Sequence, residues 1–195
     1  MQSEDITEEQ RNEYLDIIVS ESERLANMSA NSLLLSKLEN QQIFPEKKPY
    51  NLSEQLCECM LLFESKFEKK NLNIQLDLDE NLIIKADYDL LTHVWSNLFS
   101  NAIKFNQVNG KIFLSLSKEG NFAIVKVKDT GCGMTKETCE HIFEKFYQSD
   151  TSRSTQGNGL GLALVKRVID ITSGDISVSS TVGVGTTFTV LLTLE

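Results

Sequence analysis

Three short clusters in this sequence have residue types suited to holding a nucleotide. Asn97, Asn101 and Lys104 stand four and three residues apart, so a helix would align them on one stripe. An amide oxygen is a hard, neutral ligand for Mg²⁺, an ion that keeps several waters and takes further ligands from phosphates. A lysine one turn on can neutralise those phosphates. Alone, such a stripe is also what a solvated helix face shows. The second cluster, DTGCGM at 129–134, sets a carboxylate before two glycines. A carboxylate only accepts hydrogen bonds at neutral pH, which suits an exocyclic amine such as adenine N6 and repels a carbonyl such as guanine O6. The glycines allow the backbone angles and close approach that seat a flat base, although DxGxG is also a common turn. In the third cluster, GNGLGL, Gly157, Gly159 and Gly161 precede a helical pattern, and a helix N-terminus after a glycine loop is an anion site. No Lys-Ser/Thr follows, which excludes a Walker A loop. The polar SDTSRSTQGN stands where a Rossmann fingerprint needs a strand.

The elements that must position these clusters follow from periodicity. Asp87 is a plausible N-cap for a helix whose apolar side carries Leu91, Val94, Trp95, Leu98, Phe99 and Ala102, leaving the Asn97 stripe on its other side. Strands are predicted at 72–78 and 82–86. A hairpin follows, with Ile112, Leu114 and Leu116 against Ala123, Val125 and Val127, turning across Glu119 to Asn121. Helices are expected over Ser53–Lys70, around Glu137–Tyr147 and over Leu160–Thr172. Two closing strands carry Ile176 and Val178, then Phe188, Val190, Leu192 and Leu194. Strands gathered with helices on one face make a two-layer α/β sandwich, its sheet mixed but mostly antiparallel. Ahead of it, Leu15, Ile18, Ser22, Leu25, Met28, Ser32, Leu35 and Leu38 recur every three or four residues from Thr7 to about Ile43. That amphipathic helix would run roughly 50 Å, too long to bury one face on a small domain, and wants another helix as partner. Pro45 and Pro49 bracket Lys47 and Lys48 in a linker at 44–50.

Composition narrows the ligand. Of 195 residues 41% are hydrophobic and 24% charged, with a formal net charge of -9, so nucleic acid and anionic membrane are disfavoured partners. A polyphosphate ligand would require cations concentrated locally. No apolar run approaches the roughly 20 residues of a membrane span, and the N-terminus is acidic, so a cytoplasmic location is expected. Cys57, Cys59, Cys132 and Cys139 lack the paired CxxC of a structural zinc site and read as reduced thiols.

The three clusters, in this order, with Phe143 and Phe146 of IFEKFYQ between the second and third and GVGTTF at 183–188 after them, closely resemble the N, G1, F and G2 boxes and the further glycine motif of the sensor histidine kinase catalytic domain. That superfamily, with its Bergerat-type ATP-binding fold, also holds gyrase B, Hsp90 and MutL. The resemblance covers residues 50–195, with the ATP-binding domain at 51–195, and implies ATP and Mg²⁺ as cofactors. It implies that Asn101 ligates Mg²⁺ with Asn97 nearby, that Lys104 contacts phosphate, and that Phe105 lies beside the base. Asp129 is expected to bind N6, Gly131 and Gly133 to shape the base pocket, and Thr186 to support it. A lid from about 135 to 158 is expected to be mobile, pinned by Phe143 and Phe146, with Arg153 on the γ-phosphate. Gly157, Gly159 and Gly161, with Leu160 and Leu162 in the same run, are expected around the phosphates.

Residues 1–43, with RLANMSANSLLLSKLEN, are similar to the second helix of that family's dimerisation and phosphotransfer hairpin. The first helix, with its H-E or H-D acceptor motif, has no counterpart here: neither His93 nor His141 is followed by Glu or Asp. The resemblance therefore implies phosphate donation to a histidine on a dimerisation helix outside these residues, relay to a response regulator receiver domain, and a homodimeric parent, membrane-anchored or not; the unpartnered apolar stripe predicts self-association of this chain through residues 7–43. Superfamily ATPases typically place a glutamate at the position of Asn97 to activate water. Asparagine cannot take a proton, which favours a kinase over a fast ATPase. The alternatives are an ATP-binding module without kinase activity and a serine kinase of the anti-sigma type.

Overall fold

The computed structural model describes residues 7–42, 44–148 and 159–194. Helix α1 (Glu8–Glu39) starts at a capping box: Gln10 N donates to Thr7 Oγ1 at 3.2 Å and Thr7 N to Gln10 Oε1 at 3.0 Å, satisfying two amides that a helix start leaves unpaired. Strand β1 (Lys48–Asn51) leads into α2 (Leu52–Leu61) and α3 (Glu64–Lys69), then β2 (Asn73–Leu78), β3 (Ile83–Ala86) and α4 (Tyr88–Lys104). The hairpin β4 (Lys111–Glu119) and β5 (Phe122–Asp129) is followed by α5 (Lys136–His141), α6 (Gly161–Ile171), β6 (Asp175–Thr181) and β7 (Gly185–Thr193).

The main sheet has the order β2-β4-β5-β7-β6, parallel only between β2 and β4, while β1 and β3 form a separate antiparallel pair. Alternate residues of β4, β5 and β7 point into the core, among them Ile112, Leu114, Val125, Val127 and Val190, as the period of two requires. The core continues into the apolar stripes of α4 and α6, giving the expected two-layer sandwich. Trp95 and Phe99 are fully buried, each contributing on the order of 2–3 kcal/mol. The Trp95 indole N–H donates to Gln55 Oε1 at 3.0 Å, and the Gln55 amide donates to Tyr88 O and Thr92 Oγ1. This closed polar network locks α2 to α4 without an unpaired group.

Asp87 caps α4, accepting from Leu90 N at 3.0 Å with Oδ1 and from Glu46 N at 2.8 Å with Oδ2. At the other end Lys70 Nζ donates to the carbonyls of Ile103, Lys104 and Asn106 at 2.8–3.0 Å. A cation there satisfies orphan carbonyls and complements the helix dipole. The helix that carries the Asn97 stripe is thus clamped at both ends.

Three elements differ from expectation. Lys48–Tyr50, read as linker, begin β1, because an edge strand facing β3 tolerates Pro49. The helix expected over Ser53–Lys70 breaks at Leu62–Phe63, where the Phe63 ring turns edge-on to Phe99 at 6.5 Å between centroids. The helix expected to Tyr147 ends at His141. Helix α1 buries only its C-terminal part: Leu35 and Leu38 are 4% and 1% exposed, whereas Leu15, Ile18 and Leu25 are about half exposed at 49%, 60% and 58%. Arg167 Nη2 donates to Leu38 O at 2.8 Å, and Lys145 pairs with both Glu39 oxygens at 2.6 and 2.7 Å. No helix among the described residues is long and apolar enough to cross a membrane.

Candidate functional site

The core-facing stripe of α4 dictates what its other face presents. His93, Asn97, Asn101 and Lys104 all line a cleft of about 560 Å³, within the range of small-molecule sites. The cleft's other walls come from Phe63 and α3, the start of α6, the residues around α5, and α1. Its lining includes Arg24, Lys66 and Lys104 and, among the described residues, no aspartate or glutamate. In a chain with 28 acidic and 19 basic residues, this concentration of positive charge is what a polyanion requires.

Within the stripe, Asn97 Nδ2 donates to His93 O at 2.7 Å, which fixes the amide. Its Oδ1 faces the first residue of α6, where a Cβ added at Gly161 would come within 2.5 Å of that oxygen. Asn101 makes no side-chain hydrogen bond to any described residue. Two amide groups with an available oxygen suit Mg²⁺ held largely by phosphates and water; a metal cage of three or more His, Cys, Asp or Glu is absent among the described residues. Lys104 Nζ sits 4.7 Å from the Phe105 ring centroid, and burial holds its ammonium below the ordinary lysine range.

The second group lies at the ends of β5 and β7. Asp129 is 6% exposed and pairs in register with Thr186. Burial raises its pKa, opposed by hydrogen bonds from the backbone of Gly131, at 2.8 Å, and of Thr186. A Cβ on Gly131 would fall 2.3 Å from Phe105 O, the same carbonyl that accepts from Cys132 N at 3.1 Å. Gly133 has φ +66°, and a Cβ there would lie 2.0 Å from Thr181 O. Glycine is required at both places. Ser180 Oγ accepts from Met134 N at 2.8 Å and lies 2.9 Å from Thr186 Oγ1. Asp129, Gly131, Gly133 and Thr186 do not line the cleft themselves; they adjoin it through Phe105 and Met134, which do.

The third group is tied to the segment after α5. Phe146 N donates to Gly159 O at 2.9 Å, with Phe146 at φ +62° and Gly159 at φ +67°. Gly161 and Leu162 line the cleft together with Gly159, while Leu160 is 1% exposed in the core. Of the two phenylalanines expected to pin the lid, Phe143 packs edge-on against Phe188 at 6.5 Å, and Phe146 is 63% exposed. Neither lines the cleft. Arg153 and Gly157 lie outside the described residues. Sequence reasoning did not single out Lys66, Ser180, or the α1 residues Arg24, Asn27 and Asn31 that face the cleft. The three-and-four spacing of the last three was the signal for them; Ser180 left none.

A family model described as histidine kinase-, DNA gyrase B- and HSP90-like ATPase matches residues 86–195. The circadian input-output histidine kinase CikA of Synechococcus elongatus is 37% identical over 190 residues, covering 95% of this chain and 25% of CikA. Among solved structures, full-length ShkA in complex with AMPPNP superposes with a TM-score of 0.81 at 27% identity, covering 97% of this chain and 40% of ShkA. The histidine kinase ThkA in complex with the response regulator protein TrrA gives a TM-score of 0.76 at 26% identity, covering 97% of this chain and 53% of that chain. The chain thus spans between a quarter and about half of these proteins.

Proposed function

From the premise that the chain belongs to the histidine kinase-, DNA gyrase B- and HSP90-like ATPase family, we propose that it binds Mg-ATP and donates the γ-phosphate to a histidine, as the catalytic part of a sensor histidine kinase. The observation that carries this is the cleft on the Asn97–Asn101–Lys104 face of α4, lined by cations and by no carboxylate among the described residues, adjoining the buried acceptor Asp129. Asp129 accepts from adenine N6 in a pocket shaped by Gly131, Gly133 and Thr186, with Phe105 beside the base. Lys104 neutralises phosphate, and the start of α6, with Gly159, Gly161 and Leu162, faces the phosphates with backbone N–H groups. Asn101 and Asn97 would hold Mg²⁺, which would supply positive charge against the phosphates during transfer. Arg153 and Gly157 retain the roles implied by the resemblance, the first on the γ-phosphate.

Positioning and charge neutralisation are most of what phosphoryl transfer asks of a protein. No side chain at Asn97 can take a proton from water, so the site holds ATP for an incoming nucleophile. The acceptor is a histidine on a dimerisation helix, and the phosphoryl group then passes to an aspartate of a response regulator. The complex of ThkA with TrrA supports that partner class. Residues 1–43 act as the dimerisation segment, 44–50 as linker and 51–195 as the ATP-binding domain, in a homodimeric protein with this domain in the cytoplasm. The test is transfer of labelled phosphate from ATP to a supplied histidine-bearing helix, with acid-labile, base-stable product. ATP binding without any transfer would reduce the chain to a binding module; no ATP binding would overturn the reading entirely.

A further inference from the structure

Helix α1 brings a polar stripe to the nucleotide cleft that the function above leaves unused. Arg24, Asn27 and Asn31 stand three and four residues apart, share one face of the helix, and line the same cleft as Asn101 and Lys104. Around them the helix is not short of apolar residues: Ile17, Ile18, Val19, Leu25 and Leu33 are all more than half exposed. The rotation that docks Leu35 and Leu38 against the domain therefore turns a cation and two amides, rather than leucines, towards the α4 stripe. That docking is held by the ion pair of Lys145 with Glu39 and by the bond from Arg167 to Leu38 O.

Building on the assignment of this cleft to ATP, we propose that Arg24 is a further nucleotide-binding residue, reaching from α1 to the polyphosphate, with Asn27 and Asn31 supplying amide donors beside it. A guanidinium matches phosphate oxygens with a planar two-nitrogen fork. The pair that Arg24 makes with Glu21, one turn earlier, engages its Nε at 2.7 Å, which orients the group along the helix. Beyond Glu21, no carboxylate among the described residues of the lining competes for it. Because Arg24 belongs to α1 and Lys104 to α4, a phosphate touching both bridges the stem helix and the domain, so nucleotide occupancy favours the docked position of α1.

Calorimetry on the full 195-residue chain tests this with Mg-ATP, Mg-ADP and adenosine, for the unaltered protein, Arg24→Gln and Arg24→Lys. Loss of one charge-assisted contact should weaken ATP by about tenfold in Arg24→Gln, and less in Arg24→Lys, which keeps the charge but not the fork. The loss should shrink in high salt, where screening shortens the reach of charge, and adenosine affinity should not move. Unchanged ATP affinity in Arg24→Gln, while Lys104→Gln weakens it, would overturn the role of Arg24 and leave the function standing. An equal loss for adenosine would make Arg24 a structural residue and also overturn it. Failure of the unaltered chain to bind ATP would sink the functional reading and this proposal with it.

Discussion

Gly161→Ala should separate the site from the fold, because the structure places the added methyl against one functional atom. The new Cβ would lie 2.5 Å from Asn97 Oδ1 and 3.4 Å from its Cγ, with no backbone among its three nearest atoms. Carbon–oxygen contacts ordinarily begin at about 3.3 Å, so the oxygen must retreat by roughly 0.8 Å. Asn97 is a flexible, partly exposed side chain and can yield. Yielding loses its bond to His93 O, about 1 kcal/mol, against a helix-propensity gain of up to about 1 kcal/mol for alanine over glycine. The net change in stability is near zero, and the melting temperature should stay within about 3 °C. Binding should suffer more, since an ångström-scale misplacement of a positioning group costs about 10–100-fold. Paired thermal melts and Mg-ATP titrations read both quantities on one preparation. ATP affinity within twofold of the unaltered protein would refute the placement of Asn97 in the nucleotide site, and a melting temperature lowered by more than about 6 °C would show that the position serves the fold.

Gly133→Ala is the counter-case: at φ +66° with backbone oxygen 2.0 Å from the new Cβ, it should destabilise by more than about 2 kcal/mol and lower the melting temperature in a thermal scan. Asp129→Asn should cost about 1–3 kcal/mol of ATP affinity and weaken rejection of GTP, as competition titration would show. Burial raises the Asp129 pKa and adenine N6 prefers the ionised acceptor, so ATP affinity should be highest above that raised pKa and decline on acidification earlier than for an exposed carboxylate; Asp129→Asn should flatten that dependence. Asn101→Ala should remove most Mg²⁺ dependence of triphosphate binding with the melting temperature unchanged, since Asn101 faces the cleft while its neighbours Leu98 and Ala102 are buried. Lys70→Met should lower stability by about 1.5–3 kcal/mol in denaturant titration, because three carbonyls at the end of α4 lose a charged donor.

The sequence by itself determined the elements and the chemistry each could offer. Period-two runs such as Ile112–Leu114–Leu116 and the stripe from Leu91 to Ala102 encode which face is buried, because a strand or helix must hide its apolar side wherever it is placed. The same logic put Asn97, Asn101 and Lys104 together on the polar side of α4. Local capping at Asp87 was equally available, since a cap depends on residues within one turn. What sequence spacing cannot encode is distance between segments far apart in the chain. Nothing local says that Phe63 breaks a helix to meet Phe99, or that Ser180 stands behind Met134 and Thr186. Nor does anything local say that Gly161 is needed because Asn97, 64 positions away, points its oxygen there. The fate of α1 shows the division most clearly. Its period fixed an apolar stripe, but only docking through Leu35, Leu38, Glu39 and Arg167 chose the rotation that sends Arg24, Asn27 and Asn31 into the cleft, because a helix with exposed apolar and polar residues on several faces is oriented by its packing partners, not by its own pattern.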